Sequence, residues 1–352
     1  MLGKTGVVVT ALGFGAAPIG NLYEAVPDEQ AAQTVTAAWD AGIRYFDTAP
    51  HYGMGLSERR VGEVLRGYPR DEYVLSTKVG RLLVPDPGGE SRSDLVNGFD
   101  VPATTKRVWD FSAAGVRRGI EESLGRLGLD RVDVVLIHDP EESDDPEGSL
   151  TGAYPALHEL RAQGVIGAIG VGSKQSRILC RFVEETDIDV VMLAGRYTLL
   201  EQPALDDLLP ACARRGVSVL NVGVFNSGLL AHDWPPDDAH YEYADTPGDL
   251  LHRARQLATL CQRYGTSLPR AALAFAAAHP AVASVVVGAA QPGHIERNAA
   301  LFAAPPPPAQ LWTDLFASGL LRPDAPTPPG GAQAEPGFGG AEHPQRDSGG
   351  AP

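Results

Sequence analysis

The chain has 352 residues and a formal net charge of −15, enough length for a large buried core and the wrong sign for a nucleic-acid binder, whose footprint is basic. No apolar run of about 18 residues occurs, so no membrane span is expected, and MLGKTGVVVTALGFG reads as a first structural segment rather than a signal peptide. Cys180, Cys212 and Cys261 are odd in number and widely spaced, which predicts buried free thiols in a reduced, cytoplasmic protein rather than a disulfide framework or metal site.

Apolar, β-branched runs alternate with segments of helical period. In chain order the pattern predicts a strand at 12–15 (LGFG), a helix near 28–41, a strand at 44–47 (RYFD) and a helix near 57–66. There follow a strand at 73–78 (YVLSTK), a helix near 112–127, a strand at 132–138 (VDVVLIH) and a helix near 151–163. The second half continues with strands at 166–171, 190–195, 217–222 and 284–289, and helices near 174–185, 204–215, 249–264 and 292–303. Asp28 and Ser57 read as helix starts, and glycines such as Gly128 and Gly216 as helix ends. Eight alternating units predict an α/β fold, a closed parallel (β/α)8 TIM barrel. The rival doubly wound sheet wants GxGxxG after its first strand, which LGFGAAPIG does not supply.

Two connections exceed ordinary loop lengths, 80–110 after the third strand and 226–248 after the seventh. Both are expected to overhang the carboxyl-terminal mouth. An additional helix is expected within 268–280, with Pro269 in its first turn. The barrel should span residues 1–321; residues 322–352, rich in Pro and Gly, lack apolar periodicity and are expected to form a disordered tail.

Side chains two residues apart share a strand face. Tyr45 and Asp47 therefore point the same way, as do Ser76 and Lys78, and Leu136 and His138. If those faces look into the barrel, a carboxylate, an ammonium and an imidazole converge at its mouth, with Tyr52 in the loop beside them. Barrel enzymes keep their chemistry at that end. Unit charges about 4 Å apart at an effective dielectric near 20 interact by about 4 kcal/mol, so Lys78 could draw a neighbouring phenol from about 10 toward roughly 7, with Asp47 holding the ammonium and partly cancelling the shift. Such a site moves protons but has no electron acceptor, so redox chemistry requires a hydride carrier. Alone, Asp47 reads as a turn cap and Lys78 as a solvated strand end, while His51 competes with Tyr52 for the acid/base role. Their joint spacing favours the tetrad. Trp109 and Phe111, in the first long loop, read as pocket wall or loop anchor.

DTAPHYG with Asp47 and Tyr52, STK with Lys78, and LIHD with His138 make the chain resemble the aldo-keto reductase family over roughly residues 5 to 305. The resemblance implies a catalytic tetrad of Asp47, Tyr52, Lys78 and His138, with the tyrosine as acid/base. Within the family the chain is most similar to sugar dehydrogenases of the D-threo-aldose, L-fucose and galactose type, and to pyridoxal 4-dehydrogenases. That implies NAD(P)-linked oxidation of an aldose at C1 to a lactone, acting on small molecules and not on nucleic acid or membrane. General aldehyde/ketone reduction and pyridoxal oxidation are the alternatives. It also implies that Phe225 lies against the nicotinamide and that Ser173 helps bind the carboxamide. Here Lys174 stands where Asn is common, and Gly195 departs from the usual glutamine. Where NADP-preferring members carry basic residues, this chain has Gly288, Ala289 and His294, followed by Arg297 and Asn298. NAD is therefore the expected cofactor, with NADP possible if Arg297 reaches a phosphate. Rival classes are a sensory protein on the same barrel, for which no interaction arm other than the tail is visible, and a metal-dependent hydrolase. The hydrolase lacks an HxH or HxxxH after an early strand.

Overall fold

The computed structural model describes residues 1–241 and 244–329. Eight parallel strands close into a barrel: β1 (Leu12–Gly15), β2 (Tyr45–Asp47), β3 (Val74–Val79), β4 (Val134–His138), β5 (Ala168–Ser173), β6 (Val190–Ala194), β7 (Ser218–Val222) and β8 (Val282–Gly288). Each pairs with its sequence neighbours, and β8 closes on β1 through Leu12 opposite Val285. Helices cover the outside, so the strands are buried on both faces and read as near-continuous apolar runs. Tyr45, Val134, Leu136, Ala168, Val190, Met192, Leu220 and Val286 fill the interior. Leu2 belongs to the same cluster and Val7 and Val9 pack on it, so the first residues stopper the amino-terminal end.

The outer helices are α1 (Asp28–Asp40), α2 (Leu56–Leu65), α3 (Ala113–Leu127), α4 (Tyr154–Ala162), α5 (Ser176–Glu185), α6 (Leu208–Arg215), α7 (Gly248–Arg263) and α8 (Pro292–Ala303). Two expected caps lie inside their helices because tertiary contacts claim their side chains. Asp28 Oδ1 accepts from Arg60, and the Ser57 hydroxyl bonds Thr48 Oγ1 and the Ala16 carbonyl. The added helix is Leu268–Ala276. A further helix, Ala309–Ala317, buries Leu311, Trp312 and Leu315. The sequence reading missed it because the prolines before it look like a linker, although its apolar residues recur at helical spacing.

The long connections hold more structure than expected. Arg81–Pro85 pairs antiparallel with Thr105–Trp109, so most of 80–110 is a hairpin and its tip. In the second connection His240–Tyr241 pairs with Ala244–Asp245. Packing also extends past the expected boundary at residue 321: Arg322 binds Asp206 at 2.6 Å and Ala325 is buried. The remainder of the tail expectation falls on 330–352, outside the described residues. Cys212 and Cys261 are buried, Cys180 is half-buried, and all three are free thiols. Among the described residues no helix is long and apolar enough to cross a membrane.

Candidate active site

The mouth of the barrel assembles from strand ends. Lys78, 1% exposed, donates from Nζ to Asp47 Oδ2 at 2.6 Å and to the Thr48 carbonyl at 3.0 Å. The other carboxylate oxygen of Asp47 accepts from Ser76 Oγ at 2.6 Å, and Ser76 in turn lies 2.9 Å from the Tyr45 hydroxyl. Both oxygens of Asp47 are thus engaged, which fixes the ammonium. Tyr52 sits in the turn that joins β2 to α2. Gly53 beside it has φ +60°, and a Cβ there would lie 2.1 Å from the Gly20 carbonyl oxygen. Only glycine allows that approach, which presses the Tyr52 turn onto the loop after β1. The Lys78 ammonium stands 4.6 Å from the Tyr52 ring centroid, and the His138 ring 5.8 Å from it at a near-perpendicular angle. The four expected residues converge.

Burial pushes the Tyr52 phenol up to about 12; Lys78 pulls it down and Asp47 adds to the rise. The sequence reading, which set the Lys78 ammonium against a partial offset from Asp47, expected a downward shift toward about 7. Desolvation, which that reading left out, outweighs both charges and reverses the direction. Lys78 is penalised by burial, yet Asp47 and Tyr52 carry its pKa above the ordinary lysine value. Burial, with Arg81 and Lys78 nearby, holds His138 well below the usual imidazole range. His51 is lowered to about 2 by burial, then by Arg81 and Arg107. Both imidazoles are neutral at physiological pH. The arrangement can pass a proton through a phenol beside a fixed ammonium while a neutral imidazole orients an oxygen.

Two cavities meet at Tyr52. The first, about 640 Å³, is lined by His51, Lys78, Arg81, Leu95–Phe99, His138, Asp139, Glu142, Ser173 and Lys174. The second, about 500 Å³, is lined by Asp47, Phe225, Ser227, Gly228, Ala231, His232, Gly288, His294, Arg297 and Asn298. Both long connections therefore reach the rim. Phe225, Gly288, His294, Arg297 and Asn298, the residues expected to contact the cofactor, all line the second cavity, and His51 lines the first. Ser173 is committed: its hydroxyl bonds the Glu141 carboxylate and accepts from Gln175 N at 2.8 Å. Trp109 and Phe111 line neither of the two cavities, and of the two expected roles, pocket wall or loop anchor, their contacts fit the anchor. Phe111 is core, seated against Gly80 where a side chain would stand 2.5 Å from its ring. Trp109 stacks under Arg81, 4.5 Å from ring centroid to guanidinium carbon. Arg81, Asp139 and Glu142 were not foreseen. RLLVP and TKRVW carry β-branched and aromatic residues but no apolar alternation, so the hairpin had no clear period-two signal.

The second cavity suits a dinucleotide. Gly15, Gly228 and Gly288 leave backbone bare along its wall, where a phosphate-bearing chain can approach closely.

A profile of the Aldo/keto reductase family matches residues 11–313. The chain belongs to the aldo-keto reductase family. It is 49% identical over 324 residues to a D-threo-aldose 1-dehydrogenase of a Pseudomonas species, covering 92% of this chain and 97% of that protein. It is 38% identical to the pyridoxal 4-dehydrogenase of Microbacterium luteolum, over 91% and 97% of the two chains. Among solved structures, the holo form of the aldo-keto reductase AKR11C1 from Bacillus halodurans aligns with a TM-score of 0.71 at 25% identity, over 92% and 95% of the chains. This aldo-keto reductase is thus an oxidoreductase of a family that uses NAD(P), and its likeness to dehydrogenases extends across nearly the whole chain.

Proposed function

We propose that this protein oxidises an aldose at C1 to the lactone, with NAD as the hydride acceptor and Tyr52 as the acid/base residue. The observation that carries the reading is the convergence of Tyr52, Lys78, Asp47 and His138 at the junction of the two cavities. The C1 hydroxyl proton passes to Tyr52, Lys78 stabilises the phenolate that receives it, and His138 orients the C1 oxygen. A bound nicotinamide supplies the acceptor for the C1 hydrogen with its electron pair. The first cavity supports a sugar over a simple alkyl aldehyde, since His51, Arg81, Asn97, Asp139 and Glu142 line it. A polyol can satisfy such groups; a hydrocarbon tail would leave them desolvated. The resemblance to an aldose 1-dehydrogenase supports the same substrate class. The test is a panel of aldoses and pyridoxal with NAD and NADP, followed by growth of reduced cofactor. Oxidation of one or more aldoses is expected; reduction of simple aldehydes with no sugar oxidised would overturn the proposal.

The preference for NAD rests on charge. Gly288 lines the groove without a side chain. Arg297 is already engaged, donating to Asp233 Oδ1 at 3.1 Å and to the Ala231 carbonyl at 3.2 Å. A 2′-phosphate would have to displace a carboxylate to reach it. Asp233→Ala is expected to raise the NADP-to-NAD ratio of kcat/KM by up to about fivefold, because an exposed pair contributes under about 1 kcal/mol. An unchanged ratio would show that Arg297 does not reach the phosphate.

A further inference from the structure

Arg81 opens the hairpin that follows β3, and its side chain is 7% exposed. Nη2 donates to Asp139 Oδ2 and Glu142 Oε2, both at 2.8 Å, while Nη1 faces His51 Nδ1 at 3.3 Å. Trp109 closes the other side of the guanidinium. A guanidinium only donates. The contact with Nδ1 therefore requires an unprotonated Nδ1, which leaves the proton of the neutral ring on Nε2. His51 lines the first cavity, with its ring centroid 5.6 Å from that of His138. Two neutral imidazoles this close can address oxygens on adjacent carbons of one substrate.

We propose that Arg81 is a positioning residue: it locks His51 as the Nε2–H tautomer, so that His51 donates to the hydroxyl on the carbon next to the reacting one. This rests on the aldose reading above and adds the part of the sugar that is recognised. Discrimination follows, because a substrate lacking that hydroxyl leaves the buried donor unpaired. The charged groups around His51 are Lys78 from β3, Arg81 and Arg107 from the hairpin, Asp94 beneath Arg107, and Asp139 and Glu142 after β4. Removing Arg81 takes away one of three cations that oppose protonation of His51, and also the contact that selects its tautomer.

The test has two independent arms. Nitrogen NMR of histidine-labelled enzyme reads the tautomer without turnover: His51 is expected as neutral Nε2–H in the parent and Arg81→Lys, and as a tautomer mixture in Arg81→Met. Nδ1–H in the parent would overturn the proposal, even if Arg81→Met fails to fold. In the kinetic arm, the ratio of kcat/KM for a good aldose over its 2-deoxy analogue is expected to fall about tenfold in Arg81→Met and in His51→Phe, mostly through KM. Arg81→Lys should restore most of it. Arg81→Met should also add an acidic inflection to the pH profile for the aldose. A parent that oxidises aldoses but shows an unaltered ratio in both variants would refute the role of Arg81 and leave the aldose reading intact. A parent that oxidises no aldose would refute the aldose reading itself, while the tautomer measurement would still stand.

Discussion

Tyr52→Phe is expected to cut turnover by about 10²–10⁴-fold, the range for loss of a positioned acid or base, while dinucleotide affinity stays within about twofold. The substitution removes one oxygen and keeps the ring, whose centroid lies 6.1 Å from that of Phe99 and 5.8 Å from that of His138, so packing should survive. Steady-state kinetics report the first effect and quenching of protein fluorescence by the dinucleotide the second. Turnover within about tenfold of the parent would assign the proton to another group, with His51, which lines the same cavity, the rival candidate. The pH dependence has a definite sign. Because burial pushes the phenol up to about 12, oxidation, which needs the phenolate, should quicken as pH rises through the neutral range. Reduction, which needs the phenol, should stay nearly flat over the same interval.

Lys78→Met should abolish neutral-pH turnover and also weaken the fold. The ammonium favours the phenolate, so its loss raises the phenol further and pushes the oxidation profile to still higher pH. The same substitution strips Asp47 of its cation: the pair is 1% and 4% exposed on its two sides. Breaking one partner of a buried pair costs about 3–5 kcal/mol. Folding raises the pKa of Lys78, so the stability it contributes is fully present below the unfolded lysine value of about 10.4 and is lost only as pH climbs through the folded value. Denaturant unfolding at pH 7 should therefore show the deficit in full. Adding Asp47→Asn should return much of the stability without returning turnover. If the single variant is as stable as the parent, the carboxylate has found another partner, and the proposed rigidity of the site is wrong.

The barrel and three of the four converging residues were legible because both obey period two; Tyr52, in the turn after β2, was legible only from the DTAPHYG motif. Leu136 precedes His138 and Tyr45 precedes Asp47 on an inward face, and in β3 Ser76 stands in that place before Lys78. Arg81 was not legible in this way. It belongs to a strand whose partner begins more than twenty residues later, across a stretch whose prolines and glycines read as irregular, and only that partner reveals it. Phe111 was only half legible: an aromatic in a long loop reads as pocket wall or anchor, and the space left by Gly80, which makes it an anchor, shows only in the fold. The phenol's pKa failed on physics rather than pattern. A pairwise charge sum omits the water that folding removes, and here that omission outweighs the ammonium.

The site residues divide by what holds them. Asp47, Lys78 and Ser76 are cross-linked between β2 and β3, in adjacent strands of a closed sheet. Leu95 and Val96, which line the first cavity from the tip of the hairpin connection, are 54% and 91% exposed. Local opening begins in elements with few buried contacts and reaches closed sheets last. On warming, therefore, the enzyme should become promiscuous before it becomes inactive, its choice of sugar blurring at temperatures where the proton relay is still intact.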